Sequence, residues 1–292
     1  MSLATLKQVL TPCLRDGTAV AGLVVLGWED AVAFVQAAEA EQRPVILQAG
    51  PGCRAHMPLS VLGAMFRALG EAASVPVVVH LDHGESLSVC QAAIDFGFTS
   101  VMFDGSALSL SENIERTSEI VALANRHGVS VEAELGYVGY HGKERSLGTD
   151  PAEVARFARE TGIDALAVSV GNSHLMISPG AVMDMQRLRA IQAVAANLPL
   201  VLHGGSGIAP AQRRLLSRDT SVCKFNIGTE LRMAFGSALR ASIARDPERF
   251  DRNQLLSETI GPVTAAARVA IGSLCTKTTL SFPVTPHTLP PT

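Results

Sequence analysis

The chain has 292 residues and a formal net charge of −3, and no basic run or arginine–lysine stripe marks it as a nucleic-acid binder. Hydrophobic residues make up 47% and mean hydropathy is +0.26, enough for a large core, yet no apolar run reaches the ~20 residues of a membrane span and the amino terminus lacks the basic-then-apolar order of a secretion signal. Five scattered cysteines without CxxC spacing suit a reduced, cytoplasmic protein.

Aromatic residues are only 4%, so the core must be built from Ala, Val, Leu and Ile, as in buried parallel sheets and their covering helices. A short amphipathic helix is expected over 1–14. Apolar, Val- and Leu-rich strands then follow at 20–26, 45–48, 77–80, 100–103, 130–134, 165–170, 198–202 and 222–226. Amphipathic stretches at 28–41, 59–73, 85–96, 112–127, 151–161, 181–197, 211–217 and 229–245 alternate with them, with Gly or Pro at many junctions. Strict alternation predicts a parallel sheet with helical crossovers. Eight such units predict a closed (β/α)8 TIM barrel, for which ~250 residues are typical; an open doubly wound sheet is the alternative. A further helix over 255–274 is expected outside the barrel. The single domain is expected to run over 1–282, with a loose Pro- and Thr-rich tail at 283–292.

Chemistry in such barrels sits at the carboxyl ends of the strands. The third strand ends in His80-Leu81-Asp82-His83-Gly84, the fourth in Asp104-Gly105-Ser106 and the fifth in Glu132-Ala133-Glu134. The sixth ends in Asn172-Ser173-His174, the seventh in His203-Gly204-Gly205-Ser206-Gly207, and the eighth in Lys224-Phe225-Asn226-Ile227-Gly228-Thr229. Taken singly, a strand-end histidine is more often a hydrogen-bonded structural residue than a ligand, and Asp104 before a glycine reads equally as turn chemistry. Together, His83, His174 and His203 arrive at one rim from three strands. That is a set a tetrahedral zinc uses while keeping a position open. Asp104 and Glu134 would orient those ligands or hold a displaced metal. His80 is read as structural.

The glycines of 203–207 let backbone N–H groups approach an anion and Ser206 adds a hydroxyl. With the turn 226–229 opening the next helix, they form a candidate phosphate cradle, against the plainer reading of a glycine turn needed for backbone geometry.

These stretches — HLDHG at 80–84, SVMFDGS at 100–106, ENI with Thr117 at 112–117, VEAELG at 131–136, LVLHGGSG at 200–207 and KFNIGT at 224–229 — resemble the class II, zinc-dependent fructose- and tagatose-bisphosphate aldolases, in family order across most of the chain. The resemblance implies zinc held by His83, His174 and His203, with Asp104 and Glu134 serving an alternate, buried metal position. It implies Asp82 as the acid/base residue, Gly204, Ser206 and Thr229 as phosphate contacts, and Asn226 on the dihydroxyacetone phosphate portion. It further implies a phosphorylated sugar substrate, a homodimer or homotetramer, and room for a monovalent cation. A Lewis-acidic metal would replace the Schiff-base lysine of other aldolases; Lys224, near a strand end, is expected to sit deeper than Asn226 or point away from it.

The substrate shell departs from the family pattern. Leu175 follows the second zinc histidine where the family has Gly. The first strand offers only apolar residues over 22–26 where an Asn is usual. Gly50-Pro51-Gly52 stands for Ser-Pro-Gly. The loop 137–145 lacks the usual acidic run, which leaves Glu144 or Tyr140 to act there, and 176–180 lacks a Tyr-Lys pair. Arg252 and Arg268 are candidates for a second phosphate. Two other readings follow: a sugar-phosphate-binding barrel without turnover, and a metal-dependent hydrolase.

Overall fold

In a computed structural model describing residues 2–142 and 146–274, eight parallel strands close into a barrel in sequence order: β1 (Val20–Val24), β2 (Val45–Ala49), β3 (Val77–Gly84), β4 (Ser100–Phe103), β5 (Ser130–Leu135), β6 (Ala165–Val168), β7 (Leu200–Leu202) and β8 (Val222–Ile227), with β8 paired to β1. This is the expected (β/α)8 barrel, and not the open sheet. The helices are α1 (Leu6–Asp16), α2 (Trp28–Glu41), α3 (Pro51–His56), α4 (Leu59–Ala72), α5 (Leu87–Asp95), α6 (Leu110–Arg126), α7 (Pro151–Thr161), α8 (Met185–Val194), α9 (Pro210–Asp219), α10 (Thr229–Arg245) and α11 (Arg252–Gly272). The tail at 283–292, and the end of the expected domain beyond 274, lie outside the described residues.

Two apolar layers hold the barrel. Outside, strand residues such as Leu47, Val79, Val101 and Phe225 pack against the covering helices. Inside, α1 plugs the amino-terminal mouth, setting Leu6, Val9, Leu10 and Cys13 against Val20, Ile46, Val78 and Met102. That helix starts at a capping box formed by Thr5 and Gln8. The extra carboxyl-terminal helix α11 packs on α2 and α10. With the amino-terminal mouth closed by this apolar packing, the open end of the barrel is the carboxyl-terminal one.

Two local features were not expected. A short helix, α3, fills the connection after β2, opened by Pro51 at its first turn. Strand β3 runs four residues past its expected end and slips register against β4 between Leu81 and Gly84. In a regular strand successive side chains point to opposite faces. The slip, with His83 in a left-handed backbone at φ 52°, breaks that alternation and lets Asp82 and His83 serve the same rim.

Candidate metal centre and active site

Ligand atoms of His83, His174 and His203 all lie within 4.8 Å of one another, and so do those of His83, Asp104 and Glu134. The two groups share His83. The fold thus assembles from five strand ends the residues the sequence had singled out, in two overlapping clusters.

Partners fix how the rings are turned. His83 Nδ1 is bound to Asp104 Oδ2 at 2.6 Å, and Asp104 Oδ1 accepts from the Ser106 hydroxyl at 2.6 Å. His203 Nε2 is bound to Glu132 Oε1 at 3.1 Å. Its Nδ1 and Glu134 Oε2 face each other at 3.4 Å, both buried and neither with a hydrogen bond among the described residues. Buried polar atoms are nearly always satisfied. An imidazole nitrogen and a carboxylate oxygen left bare beside two more histidines fit a divalent metal of the zinc type. His174 is placed by the sixth connection: its N–H donates to the Gly139 carbonyl at 2.9 Å, and the Tyr140 ring stacks on it at 5.1 Å. Tyr140 therefore lines the site, whereas Glu144 lies outside the described residues.

Charge in the cluster is uneven. Burial alone would lower His83, but the Asp82 charge and the Asp104 hydrogen bond outweigh it and push the imidazole up to about 9. Burial and the His83 charge push His174 down to about 4, and burial holds His203 well below the ordinary imidazole range. Burial and the neighbouring Asp104 raise Glu134 to about 8. For Asp82, burial opposes ionisation, but His83 and His203 prevail and hold the carboxyl below its ordinary value.

Beneath the histidines lies a buried chain of polar groups. Lys224 Nζ donates to Glu132 Oε2 at 2.6 Å and contacts His80 Nε2 at 3.3 Å, and His80 Nδ1 meets Ser100 Oγ at 2.8 Å. Lys224, Glu132 and His80 are all 0% exposed, so Lys224 sits deeper than Asn226, below the open cavity. Asp82 stands above this chain, with Oδ1 accepting from Asn226 Nδ2 at 3.1 Å.

The cavity over the cluster has a volume of about 270 Å³. Val24, Leu26, Gly50 and Leu175 line it, together with Asp82, Gly204, Ser206, Asn226 and Thr229. Gly204 adopts φ 66°, and a Cβ there would fall 2.1 Å from the Ser173 carbonyl, so only glycine lets the two loops touch. Ser206 Oγ accepts from the N–H groups of Gly228 and Glu230 at the start of α10. The two loops of the candidate phosphate cradle are therefore joined. Leu175 has φ 58° and is exposed at the mouth: it keeps a backbone conformation suited to glycine while adding a side chain.

Three arginines were not anticipated. Arg213 of α9 is buried, donates through Nε to the Gly205 and Ile208 carbonyls, and pairs with Glu230. Arg54 of α3 donates to carbonyls at the ends of β2 and β3. Arg232 of α10 lines both this cavity and a neighbouring one of about 400 Å³, which also holds Arg252. Arg268, by contrast, is tied to Glu41 on α2.

Fold and side chains together define an α/β-barrel with a candidate metal centre at its carboxyl-terminal rim. The chain belongs to the family described as fructose-bisphosphate aldolase class-II, whose model matches residues 4–277. It is 38% identical over 281 residues to fructose-bisphosphate aldolase of Geobacillus stearothermophilus, covering 93% of this chain and 95% of that one. It is 36% identical to 6-phospho-5-dehydro-2-deoxy-D-gluconate aldolase of Shouchella clausii, covering 93% and 94%. Among solved structures it is similar to the YdjI aldolase from Escherichia coli K12, at 30% identity and a TM-score of 0.80, covering 93% and 97%. The protein is thus a carbon–carbon lyase of the aldolase type, in a family that is generally metal-dependent. Among the described residues, no helix is long and apolar enough to cross a membrane.

Proposed function

We propose that the chain is a zinc-dependent aldolase that reversibly cleaves a ketose phosphate or bisphosphate, of the fructose- or tagatose-bisphosphate kind, to dihydroxyacetone phosphate and an aldehyde. The observation that carries this reading is His203 Nδ1, buried and without a hydrogen bond among the described residues, facing Glu134 within a cluster completed by His83 and His174. Those three histidines would hold the ion, with Asp104 and Glu134 available as an alternate set. When bound, the metal supplies Lewis acidity toward the ketone and neighbouring hydroxyl oxygens.

The chain's own residues do the rest. Asp82 Oδ1 is engaged by Asn226, so Oδ2, on the Gly50 side of the cavity, takes the hydroxyl proton on the aldehyde side as the carbon–carbon bond breaks. The bonding electrons pass to the ketone-side fragment, which leaves as dihydroxyacetone phosphate after gaining a proton. Gly204, Ser206 and Thr229 hold the phosphate. Since Ser206 Oγ accepts from two backbone N–H groups, its own hydrogen is left to donate to a phosphate oxygen. Lys224, buried and ion-paired, is unsuited to attack a carbonyl.

Two relatives at nearly equal identity carry the names of different aldolases, which supports a reading in which the cavity wall at Val24, Gly50 and Leu175, rather than the histidines, selects the substrate. A metal assay followed by a cleavage screen over phosphorylated ketoses tests the proposal. Retained zinc with no triose product from any of them would overturn it.

A further inference from the structure

The side chain best placed to set the geometry of Asp82 and His83 belongs to neither the metal cluster nor the cradle. Arg54 Nη1 donates to the Ala49 carbonyl at 2.8 Å and to the Asp82 carbonyl at 2.6 Å, and Nη2 donates to the His83 carbonyl at 2.9 Å. Those carbonyls belong to the end of β2 and to the segment of β3 where the register slips. A bulge displaces regular ladder partners. It also holds His83 in a left-handed conformation that is strained for a residue with a Cβ, and such a conformation persists only where its surroundings over-determine it.

We infer that Arg54 is a positioning residue for this corner of the site. Its guanidinium fork ties β2 to the β3 bulge and so keeps Asp82 and His83, neighbours in sequence, aimed at one centre. A planar fork with several fixed donors can span three carbonyls, which a lysine ammonium cannot do with the same geometry. The short helix α3 exists at the right place to deliver it: Arg54 lies one turn from the Gly50 cap. Arg213 does the equivalent for the cradle, holding the Gly205 and Ile208 carbonyls from α9. The inference rests on the proposed metal chemistry only for its effect on catalysis; the backbone role stands on geometry alone.

Full-length Arg54→Ala and Arg54→Lys test it with two kinds of readout. In metal-free protein, amide hydrogen exchange over 77–90 and at Asp104, whose N–H donates to the Gly84 carbonyl at 2.9 Å, should quicken in Arg54→Ala. Zinc affinity, measured by chelator competition, should fall about 10–100-fold. In a cleavage assay kcat should fall while KM changes little. Added guanidinium at millimolar concentration should restore both exchange protection and zinc affinity to Arg54→Ala, and Arg54→Lys should fall between it and the parent. Unchanged exchange at the end of β3 in both variants would overturn the inference. So would a loss confined to thermal stability, or zinc affinity within about twofold of the parent. If the parent binds zinc yet cleaves no ketose, the aldolase proposal fails, and exchange and zinc affinity still decide Arg54. If the parent binds no zinc, exchange and its restoration by guanidinium decide it alone.

Discussion

The two sides of the barrel rim are built on different terms. From β3 to β7 the side chains of the candidate metal centre are held by polar partners: His83 by half-buried Asp104, and His203 by Glu132, which is itself paired with the buried Lys224 of β8. On β1 and β2 the wall is apolar or bare, with Val24, Leu26 and Gly50. Below that wall lies Gln48, 0% exposed, with neither amide atom hydrogen-bonded among the described residues. A buried ion pair is costly to break from one side, so neither Lys224 nor Glu132 beneath the metal side can change alone without cost. The β1–β2 wall lines the open cavity and can. In the proposed function the reaction class therefore rests on the first side and the choice of substrate on the second.

Asp82→Asn should lower kcat about 10²–10⁴-fold with zinc retained; a variant within a few fold of the parent would remove Asp82 from the chemistry. Lys224→Met should destabilise the fold by about 3–5 kcal/mol in urea unfolding, because it leaves the Glu132 charge buried without its partner. A loss below 1 kcal/mol would mean the deep charges are not what locks the metal side. Zinc affinity should depend on pH. Only a neutral imidazole binds metal, and His83, raised to about 9, carries a proton at neutrality, while His174 and His203, lowered, do not. Affinity should therefore weaken by about tenfold per unit as pH falls below about 9, with proton release on binding seen in buffers of different ionisation heat. The linked stability has the opposite sense. As a raised imidazole, His83 stabilises the metal-free fold fully below pH 6.5, and that contribution fades as pH rises through about 9. On the other side of the rim, Gly50→Ser should fit, since an added Cβ would come no closer than 3.4 Å to Asp82 Oδ2. It should leave stability within about 0.5 kcal/mol and raise kcat/KM for fructose 1,6-bisphosphate by up to about tenfold. No change in preference among ketoses would show that the β1–β2 wall does not select the substrate.

Much of the metal side was legible in the sequence because strand-end histidines and carboxylates repeat in step with the β–α alternation. The barrel followed from that alternation, and α11 from its apolar period. The deep chain was harder to see. His80 read as structural, Lys224 as lying deeper than Asn226 or pointing away from it, and Glu132 as one more polar residue near a strand end; nothing in residue type linked the three, although each stands two residues before another candidate site residue, Asp82, Asn226 or Glu134, and so shares its face. Helix α3 is six residues long with Pro and Gly at its start, too short to show a period. The bulge at His83 leaves no mark in residue type, because a left-handed backbone at a histidine is set by its surroundings. Arg54, Arg213 and Arg232 lie on helices, where an arginine ordinarily faces solvent, and only the fold shows which carbonyls or cavities they reach.

In the proposed function, His83, His174 and His203 hold a zinc that this chain needs to cleave a phosphorylated ketose. The most direct test compares the parent with His203→Ala, assaying zinc content and dihydroxyacetone phosphate formation, with borohydride added during turnover. The parent should hold zinc and release triose, the variant should lose both, and borohydride should not inactivate the parent. Undiminished cleavage by metal-free protein, or a borohydride-trapped adduct on Lys224, would contradict the proposed function.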